Sequence, residues 1–322
     1  MTARVGIVGA GPAGLLAART LCRAGWSVTL FDKGRRPGGR MNTREHGAYR
    51  FDHGAQYFTV RDPRIQELLG EWISLGIVAE WPGRLVRISP EGSEPAQDAR
   101  RFVGMPSMIS LASHLAAGLD VQAGVRIEAV ERSGREWRLV DDTGVDVGHF
   151  DRVIVAVPAK QAAPLLMAAP KLRHAAERVR MAPCWAGMFV FEDRLPTDFD
   201  GAFLSEGPLS WIARDSSKPG RPNFESWVVH GTPEWTAGHW DVHRNDIPDL
   251  MAVELEEVVG PLPGRSFQRA HRWGYALADV PAQELLYDPK LGIGAVGDWC
   301  VGGRVEGALL SGIEMAERIA AE

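Results

Sequence analysis

The sequence predicts an α/β fold in which a ligand-binding domain of parallel strands is interleaved with a second domain of mixed α/β type. Three observations lead to this prediction. The chain has 322 residues, more than one compact core usually serves. Residues 4–32 alternate strand, helix and strand, and residues 291–322 repeat a strand followed by a helix. Seven of the 11 tryptophans lie at or beyond position 185, so the two halves differ in kind.

The first element is a strand–turn–helix–strand unit with glycines in its turn. After an apolar run of strand type, Gly9, Gly11 and Gly14 match the G-x-G-x-x-G pattern. The first glycine allows a tight turn, the second lets the backbone approach a pyrophosphate, and the third lets helix and strand pack closely. The N-terminus of the following helix would face the phosphates. The next strand ends at Asp32, which can accept hydrogen bonds from a ribose diol. This unit predicts a Rossmann-like dinucleotide site, although the motif alone does not separate FAD from NAD.

A basic, glycine-rich loop, residues 33–40, follows directly on that strand. We interpret it as a second contact on the phosphate side, in which Arg40 neutralises the pyrophosphate and the paired glycines Gly38 and Gly39 admit it. The alternative is a solvated turn without a ligand. The short distance along the chain to the first glycine motif favours the contact.

The middle of the chain is assigned from apolar periodicity and turn residues. Residues 51–59 come first, and Gly54 indicates a close backbone approach there. In order, we then predict a helix from Asp62 to Gly76, a loop with short strands over 82–100, a helix over 104–114, strands at 121–123, 125–131, 136–141, 145–150 and 153–157, a helix over 160–180, strands at 185–192, 209–214 and 226–231, a helix over 245–259 and a strand at 267–274.

The C-terminus has the layout of a second turn that faces a ligand. Residues 291–299 form a strand that contains Gly297-Asp298, and the residues from Val305 onward repeat with helical period. A strand, an acid and a glycine-rich helix start are arranged here as in the first motif. We therefore expect this segment to close the first domain.

Composition argues against several classes of function. The formal net charge is −5 and no block of Lys and Arg stands out, which argues against a nucleic-acid partner. No apolar run reaches the ~18–20 residues needed to span a bilayer. The three cysteines fit no zinc or redox spacing, and their odd number argues against a disulfide framework. We expect a soluble, cytoplasmic protein without a metal, with Cys22 on the buried side of the first helix.

Several segments together resemble a family of flavoproteins. The glycine turn, residues 36–40 and residues 297–299 are similar to the FAD-dependent amine oxidase superfamily, of glutathione-reductase type. Residues 51–58 and 297–308 are similar, more specifically, to the bacterial renalase-like proteins. The resemblance runs over essentially the whole chain.

The resemblance implies FAD, bound non-covalently in an extended form. Asp32 would hold the adenosine ribose, Arg40 would lie by the pyrophosphate, and Ile127 would offer its backbone to the adenine. Asp298 would accept from a ribityl or phosphate-side hydroxyl. The helix that starts near Val305 would direct its positive end at the pyrimidine side of the flavin and stabilise the anionic reduced form. The implied cofactor-binding residues are Gly9, Gly11, Pro12, Ala13, Gly14, Asp32, Lys33, Gly39, Arg40, Gly54, Ala55, Gln56, Tyr57, Ile127, Asp298 and Val305.

The resemblance also implies a reaction. Renalase-like proteins oxidise mis-reduced nicotinamides, the 1,2- and 1,6-dihydro isomers of NAD(P)H, to NAD(P)+ by direct hydride transfer to flavin N5. Molecular oxygen then reoxidises the flavin and yields hydrogen peroxide. A dihydropyridine gives up a hydride without a base, so the ring only needs to be placed against the flavin. The sequence shows no Ser/His/Asp grouping, metal set or paired carboxylates that must be catalytic, and we predict no catalytic side chain.

The candidate substrate residues are binding groups on the predicted strands of the second half, joined by Arg64 for a substrate phosphate. We predict substrate contacts for Arg64, His230, Trp273 and Tyr275. The alternatives are a surface arginine, a structural histidine and core aromatics. The strand candidates are Trp211, Arg214, His230, Trp235, His271, Arg272, Trp273 and Tyr275.

Two other functions stay open at this point. One is a flavin amine oxidase proper, in which Tyr275 and Trp299 would hold a small neutral amine between their rings. The other is a flavin-binding module without turnover, against which the polar groups mixed with aromatics in the second half argue. For the domains, we predict that residues 1–60, 104–165 and 290–322 bind FAD, and that residues 61–103 and 166–289 form the substrate domain.

Overall fold

A computed structural model describes residues 2–279, 281–282 and 285–322, and it confirms the α/β fold. In chain order, the described strands are β1 (Arg4–Val8), β2 (Ser27–Asp32), β3 (Arg44–His46), β4 (Tyr49–Phe51), β5 (Val78–Glu80), β6 (Leu85–Ser89), β7 (Gly92–Pro95), β8 (Phe102–Gly104), β9 (Asp120–Ala123), β10 (Ile127–Ser133), β11 (Glu136–Asp141), β12 (Asp146–Phe150), β13 (Arg152–Val155), β14 (Met181–Phe191), β15 (Gly201–Leu204), β16 (Leu209–Arg214), β17 (Glu225–Gly231), β18 (Arg265–Ala278), β19 (Leu286–Asp288) and β20 (Ile293–Ala295). The described helices are α1 (Pro12–Arg23), α2 (Pro63–Ser74), α3 (Ile109–Ala116), α4 (Ala159–Leu165), α5 (Pro170–Arg178), α6 (Pro233–Gly238), α7 (Ile247–Val259), α8 (Asp298–Val301) and α9 (Val305–Ala320).

The half that carries the glycine turn is organised around a six-stranded sheet in the order β19-β20-β13-β1-β2-β9. Neighbouring strands from β20 to β9 are parallel, and β19 joins the edge antiparallel. The carboxyl ends of the parallel strands therefore meet at one edge, where α/β sheets bind their ligands. Helices α1 and α9 pack closely beside it, because a Cβ on Gly312 would lie 2.3 Å from the Ala13 carbonyl oxygen.

The tryptophan-rich half forms a seven-stranded sheet in the order β18-β14-β17-β16-β15-β6-β7. All its pairs are antiparallel except β15 with β6, which are parallel. One face packs against α7, where Phe189 and Trp227 share a buried cluster with Met251. The opposite face packs against the chain around Phe51. We call this opposite face the inner face; cross-strand pairing places Ala186, Trp211, His230 and His271 on it.

The predicted element types are largely confirmed, and the differences have local causes. The helix predicted over 160–180 is two helices, because Pro170 takes the first position of α5 and the residue before a proline disfavours helical geometry. The helix predicted from Gly104 begins only with α3, because that glycine ends β8, which pairs with β5. The C-terminal strand is shorter than predicted, because Gly297 at a φ of +156° turns the chain into α8.

Two side-chain predictions are wrong. Cys22 is exposed, because helix α1 buries the stretch 13–18 and Leu21 and so turns its next residue to solvent. Trp235 lies in the short helix α6 rather than on a strand.

The division into two domains stays a prediction, although all strands of the seven-stranded sheet come from the segments predicted for the substrate domain. Within the described residues, every helix is too short or too polar to cross a bilayer.

Candidate cofactor and substrate site

The turn between β1 and α1 is closed at two of its glycines and open at the third. Gly9 has a φ of +109°, and a Cβ there would lie 2.4 Å from the Ala156 carbonyl oxygen. A Cβ on Gly14 would lie 2.1 Å from the Gly9 oxygen, so only glycine lets the helix lie against the turn. By contrast, no described atom lies within 4 Å of a Cβ built on Gly11. Since no side chain in the described part of the protein caps α1, this open glycine and the residues Pro12 and Ala13 present a helix N-terminus to an anion.

Asp32 lies at the end of β2, beside this turn. Its carboxylate accepts the backbone N–H groups of Ala10 at 2.7 Å and Gly34 at 2.6 Å. Burial raises the pKa of Asp32, and those two N–H groups together with Lys33 act in the opposite direction. The two N–H bonds fix the orientation of the carboxylate, as the recognition of a ribose diol requires.

The segment that leads into β10 runs alongside Asp32. The N–H of Val125 donates to the Asp32 carbonyl at 3.0 Å, and the N–H of Gly124 donates to the Gly34 carbonyl at 3.0 Å. Ile127 follows as a buried residue. This neighbourhood agrees with the adenine position that the resemblance implies, and the contact itself stays a prediction.

We expect Asp32→Ala to weaken FAD binding by about 1.5–3 kcal/mol, the value of a hydrogen bond to a charged group. The rate of flavin reduction in the loaded protein should change little, because Asp32 would contact only the remote ribose. Asp120→Ala is the matched control, since Asp120 is an exposed acid on the adjacent strand that binds the Thr29 hydroxyl. Equal FAD dissociation constants for the two variants, measured by fluorescence titration, would remove Asp32 from the site.

Arg40 and Asp298 form a bidentate ion pair. Arg40 Nη1 donates to Asp298 Oδ2 at 2.9 Å, and Nη2 donates to Oδ1 at 2.5 Å. The same Nη1 donates to the Ala276 carbonyl of β18 at 2.9 Å, so the arginine joins the two large sheets. The sequence predicted separate ligands for these two side chains, a pyrophosphate and a hydroxyl. The structure brings them together, and both contacts to the cofactor stay predictions.

Residues 54–57 run along Arg40. A Cβ on Gly54 would lie 2.0 Å from the Arg40 carbonyl oxygen, to which Ala55 also donates its N–H at 2.9 Å. Gln56 is buried and bound by Lys218, as described below. Tyr57 lies beside the indoles of Trp81 and Trp211, with ring centroids 6.2 and 5.8 Å away. The predicted close approach at Gly54 is therefore to the protein's own backbone.

The N-terminus of α9 lies at the same edge of the sheet. The helix begins at Val305, as predicted, and its N-cap Arg304 makes no side-chain cap. Glu306 turns away from its own helix and accepts the N–H groups of Arg61 at 2.5 Å and Asp62 at 2.7 Å. Among the residues that the structure describes, no side chain therefore caps the N-terminus of α9.

Two predicted substrate residues lie towards solvent. Arg64 bridges Asp62 and Glu314, each at 3.1 Å, which favours the surface-charge alternative. Tyr275 is 37% exposed. Trp299, which the amine oxidase alternative pairs with Tyr275, is buried and donates its indole N–H to the Val157 carbonyl at 3.0 Å. The prediction that Tyr275 and Trp299 hold an amine between their rings is therefore wrong.

The inner face meets a second histidine-bearing segment. The ring of His53 stacks on Trp273, with centroids 5.0 Å apart, and meets His271 edge-on at 4.9 Å. The indole N–H of Trp273 donates to the His53 carbonyl at 2.9 Å. Within the described residues, His53 Nδ1, His230 Nε2 and Trp211 Nε1 are buried without a hydrogen-bond partner. Buried polar atoms are normally paired, so three unmet atoms around one face indicate that a ligand is accommodated there.

These three histidines are neutral at physiological pH. Burial, followed by the nearby His271 and Arg44, lowers the pKa of His53 to about 3. Burial also lowers the pKa of His230 and of His271 to about 4. A histidine with such a pKa is a weak base near neutral pH.

Next to this face lies a buried ion group, formed by Asp52, Asp215, Lys218 and Arg221. Their side chains are at most 1% exposed. Lys218 Nζ lies 2.6 Å from Asp215 Oδ1 and 3.8 Å from Asp52 Oδ2, and Arg221 donates to Asp52 Oδ2 through Nη2 and, at 3.2 Å, through Nε. Burial raises the pKa of Asp52, but Arg221 and Lys218 outweigh it and hold that pKa below its usual range.

Sequence reasoning missed the buried ion group. Three of its members fall within residues 215–221, a charged stretch rich in Ser, Gly and Pro that has the composition of a solvated loop. The fourth, Asp52, lies in a segment that was noted for Gly54 and for the family resemblance, and not for its charge. The available signal was a high density of charge between two mostly apolar predicted strands, 209–214 and 226–231.

The residues at the strand ends fit an FAD. Gly11 leaves an open cradle beside an uncapped helix N-terminus, as a pyrophosphate requires. Asp32 presents a fixed carboxylate at the end of the next strand, where the ribose of the same nucleotide lies in such folds. The uncapped end of α9 offers a partial positive charge to the other end of the cofactor.

Comparison of the sequence with models of known protein families shows the family to which the chain belongs. Residues 7–72 match the NAD(P)-binding Rossmann-like domain, and residues 93–320, well over half of the chain, match the flavin containing amine oxidoreductases. The chain belongs to the flavin-containing amine oxidoreductase family. Membership makes it a flavin-dependent oxidoreductase, and FAD is the cofactor that the family implies.

Curated relatives match only parts of the chain. A flavin-containing monooxygenase of Arabidopsis thaliana is 26% identical over an alignment of 153 residues that covers 44% of this chain and 31% of that protein. A neurosporene-forming phytoene desaturase of Rhodobacter capsulatus is 42% identical over 73 residues, 23% of this chain and 13% of that protein. The chain therefore spans about a third or less of the length of these relatives.

Solved structures match over the full length. A protein from Exiguobacterium that is provisionally named a protoporphyrinogen oxidase has a TM-score of 0.81 at 14% identity, over 100% of this chain and 99% of that one. A cyclohexylamine oxidase from Brevibacterium oxydans has a TM-score of 0.79 at 14% identity over the same shares. A putrescine oxidase bound to putrescine has a TM-score of 0.76 at 16% identity over the whole of both chains. At these identities the likeness shows the fold alone.

Proposed function

We propose that this member of the family is an FAD-dependent oxidase of mis-reduced nicotinamide dinucleotides. The substrates would be 1,2- and/or 1,6-dihydro-NAD(P), and the products NAD(P)+ and, from molecular oxygen, hydrogen peroxide. FAD, held without a covalent bond, would accept the hydride at N5 and pass the electrons to oxygen. We also infer a cytoplasmic location. The described cysteines form no disulfide, which is usual for proteins of that compartment.

The observation that carries this proposal is the neutrality of the inner face. Its histidines have pKa values of about 3 to 4, and the carboxylates of Asp52 and Asp215 next to it are ion-paired with Arg221 and Lys218. The three histidines therefore have pKa values well below 7, where a general acid or base works best. Such a surface suits a donor whose hydride leaves without removal of a proton, and a dihydronicotinamide is such a donor.

The second candidate is a flavin amine oxidase that acts on a small amine. Family membership favours it, and a cyclohexylamine oxidase and a putrescine oxidase share the fold. Against it, Trp299 of the predicted aromatic pair is buried, and burial, followed by the Lys218 charge, lowers the pKa of His230 beside the unmet atoms. The same loss of solvation would disfavour an ammonium ion in that place.

The pH dependence of flavin reduction separates the two candidates. With a mis-reduced dihydro-NAD under anaerobic conditions, we expect the limiting rate constant to change by less than about threefold between about pH 5.5 and pH 9, because the histidines remain neutral throughout. An amine substrate would give a rate that rises about tenfold for each pH unit below the pKa of the amine. Stopped-flow spectroscopy measures both. A titration near pH 7 with the dihydro-NAD, or no reduction by it, would contradict the proposal.

A further inference from the structure

We infer that Trp211 and His230 together bind the carboxamide group of the nicotinamide ring. This inference rests on the proposed function and names the part of the inner face that recognises the substrate. Its starting point is the pair of buried nitrogen atoms, Trp211 Nε1 and His230 Nε2, that lack partners among the described residues.

The two side chains are neighbours on one face. Trp211 of β16 and His230 of β17 are paired across the sheet. Directly opposed residues have Cβ atoms about 4.5–5.5 Å apart, so one small group can meet both side chains. On its other side His230 is paired with Ala186, whose methyl group leaves room beside the imidazole.

Trp211 differs from the tryptophans that have partners. The residue is 6% exposed and its indole N–H is unmet, which is unfavourable for a buried donor. Six other tryptophans each donate the indole N–H to an oxygen atom of the protein: Trp81, Trp137, Trp185, Trp227, Trp273 and Trp299. An unmet N–H at this position therefore indicates a hydrogen-bond acceptor on a ligand.

His230 offers a hydrogen-bond acceptor, whereas Trp211 offers a donor. The backbone of His53 favours the protonated form of the His230 ring, as a carbonyl that accepts from a ring N–H does, and we therefore assign the proton to the ring nitrogen on that side. Nε2 is the nitrogen without a partner, and in the neutral ring it holds a lone pair. His230 therefore presents a hydrogen-bond acceptor next to the donor of Trp211.

A primary carboxamide satisfies both atoms. Its oxygen can accept from Trp211 Nε1, and its NH2 group can donate to His230 Nε2. A carboxylate has no hydrogen to donate and would oppose the lone pair of Nε2. An ammonium group has no acceptor and would leave the indole N–H unmet. The donor–acceptor pair therefore selects a group that can both accept and donate, and on the nicotinamide ring of the proposed substrate that group is the carboxamide.

The test compares dinucleotides that differ only in this group. NAD+, its 3-acetylpyridine analogue and its nicotinic acid analogue are titrated into the FAD-loaded protein, and binding is followed by the change in the flavin absorption spectrum. We expect NAD+ to bind about fivefold or more tightly than the acetyl analogue, which keeps the carbonyl and loses the NH2 donor. The nicotinic acid analogue should bind most weakly.

Single variants test the hydrogen bond of His230 and that of Trp211 to the carboxamide separately. His230→Phe should bring the ratio of NAD+ to acetyl-analogue affinity close to one, and His230→Gln, whose amide oxygen accepts, should restore part of the preference. Trp211→Phe should weaken both dinucleotides about fivefold and keep their ratio. Trp185→Phe is the control, because Trp185 lies on the opposite face of the sheet and donates to the His239 carbonyl.

The outcomes separate this inference from the proposed function. If wild-type protein binds all three dinucleotides equally, or if His230→Phe keeps the full preference, the carboxamide contact is wrong and the proposed function stands. If wild-type protein binds none of them, the proposed function fails and the contact fails with it. The wild-type comparison decides the matter even where a variant does not fold.

Discussion

We expect Lys218→Met to lower the free energy of unfolding by about 3–5 kcal/mol, the cost of breaking a buried ion pair on one side. The Lys218 side chain is 0% exposed and lies 2.6 Å from Asp215 Oδ1 and 3.8 Å from Asp52 Oδ2. Without the cation, two buried carboxylates share Arg221 alone. Urea unfolding of the FAD-free and the FAD-loaded protein measures the change.

The same substitution should also weaken FAD binding. Lys218 Nζ donates to Gln56 Oε1 at 3.1 Å, and the Gln56 amide donates to the backbone carbonyls of Asp52 and Gly54. The lysine thus orients a segment that we propose to lie along the cofactor.

Two further variants make the stability prediction specific. Lys290→Met is the control, because Lys290 is an exposed turn residue, and it should change stability by less than about 0.5 kcal/mol. The double variant Lys218→Met, Asp215→Leu removes both partners of the Lys218–Asp215 pair and should recover about half or more of the loss. A single Lys218→Met variant as stable as Lys290→Met would show that the buried ion group does not hold the fold.

The parts of the fold that depend on short stretches of sequence could be predicted. The strand–turn–helix unit from Arg4 to Asp32 and the helix beginning at Val305 are found where the glycines and the apolar period place them. Each depends on residues a few positions apart. The parallel pairing of β15 with β6 could not be predicted, because these strands are more than 100 residues apart. The pattern of apolar and polar residues in each strand indicates which face is buried, but not which strand lies beside it.

The sequence could predict which segments contain the candidate site, but it could not predict which side chains contact one another there. His230 and Trp273 lie at the inner face, as the aromatic and basic character of the second half suggested. His53, Lys218 and Arg221 were missed as site residues, because their roles arise only when distant segments are packed together. The pairing of Arg40 with Asp298 joins two motifs 258 positions apart, and neither motif reveals its partner.

The central claim concerns the electron donor, and a panel of donors under anaerobic conditions tests it most directly. The panel contains the 1,2- and 1,6-dihydro isomers of NAD(P)H, ordinary 1,4-NADH, and primary amines such as putrescine and cyclohexylamine. Each is mixed with the FAD-loaded protein in a stopped-flow spectrometer, and the loss of flavin absorbance is followed. A matched series with His230→Phe reports on the inner face.

We expect a mis-reduced isomer to bleach the flavin at least about a hundredfold faster than 1,4-NADH or any amine, a difference of about 2.7 kcal/mol in activation free energy. The reason is that a dihydropyridine needs only to be placed, whereas an amine must first lose a proton on a face whose histidines are weak bases. His230→Phe should slow the reaction by a modest factor without abolishing it, whereas a true acid–base residue would contribute about 10²–10⁴-fold. Faster bleaching by a primary amine than by every dihydropyridine would contradict the account and establish the amine oxidase alternative.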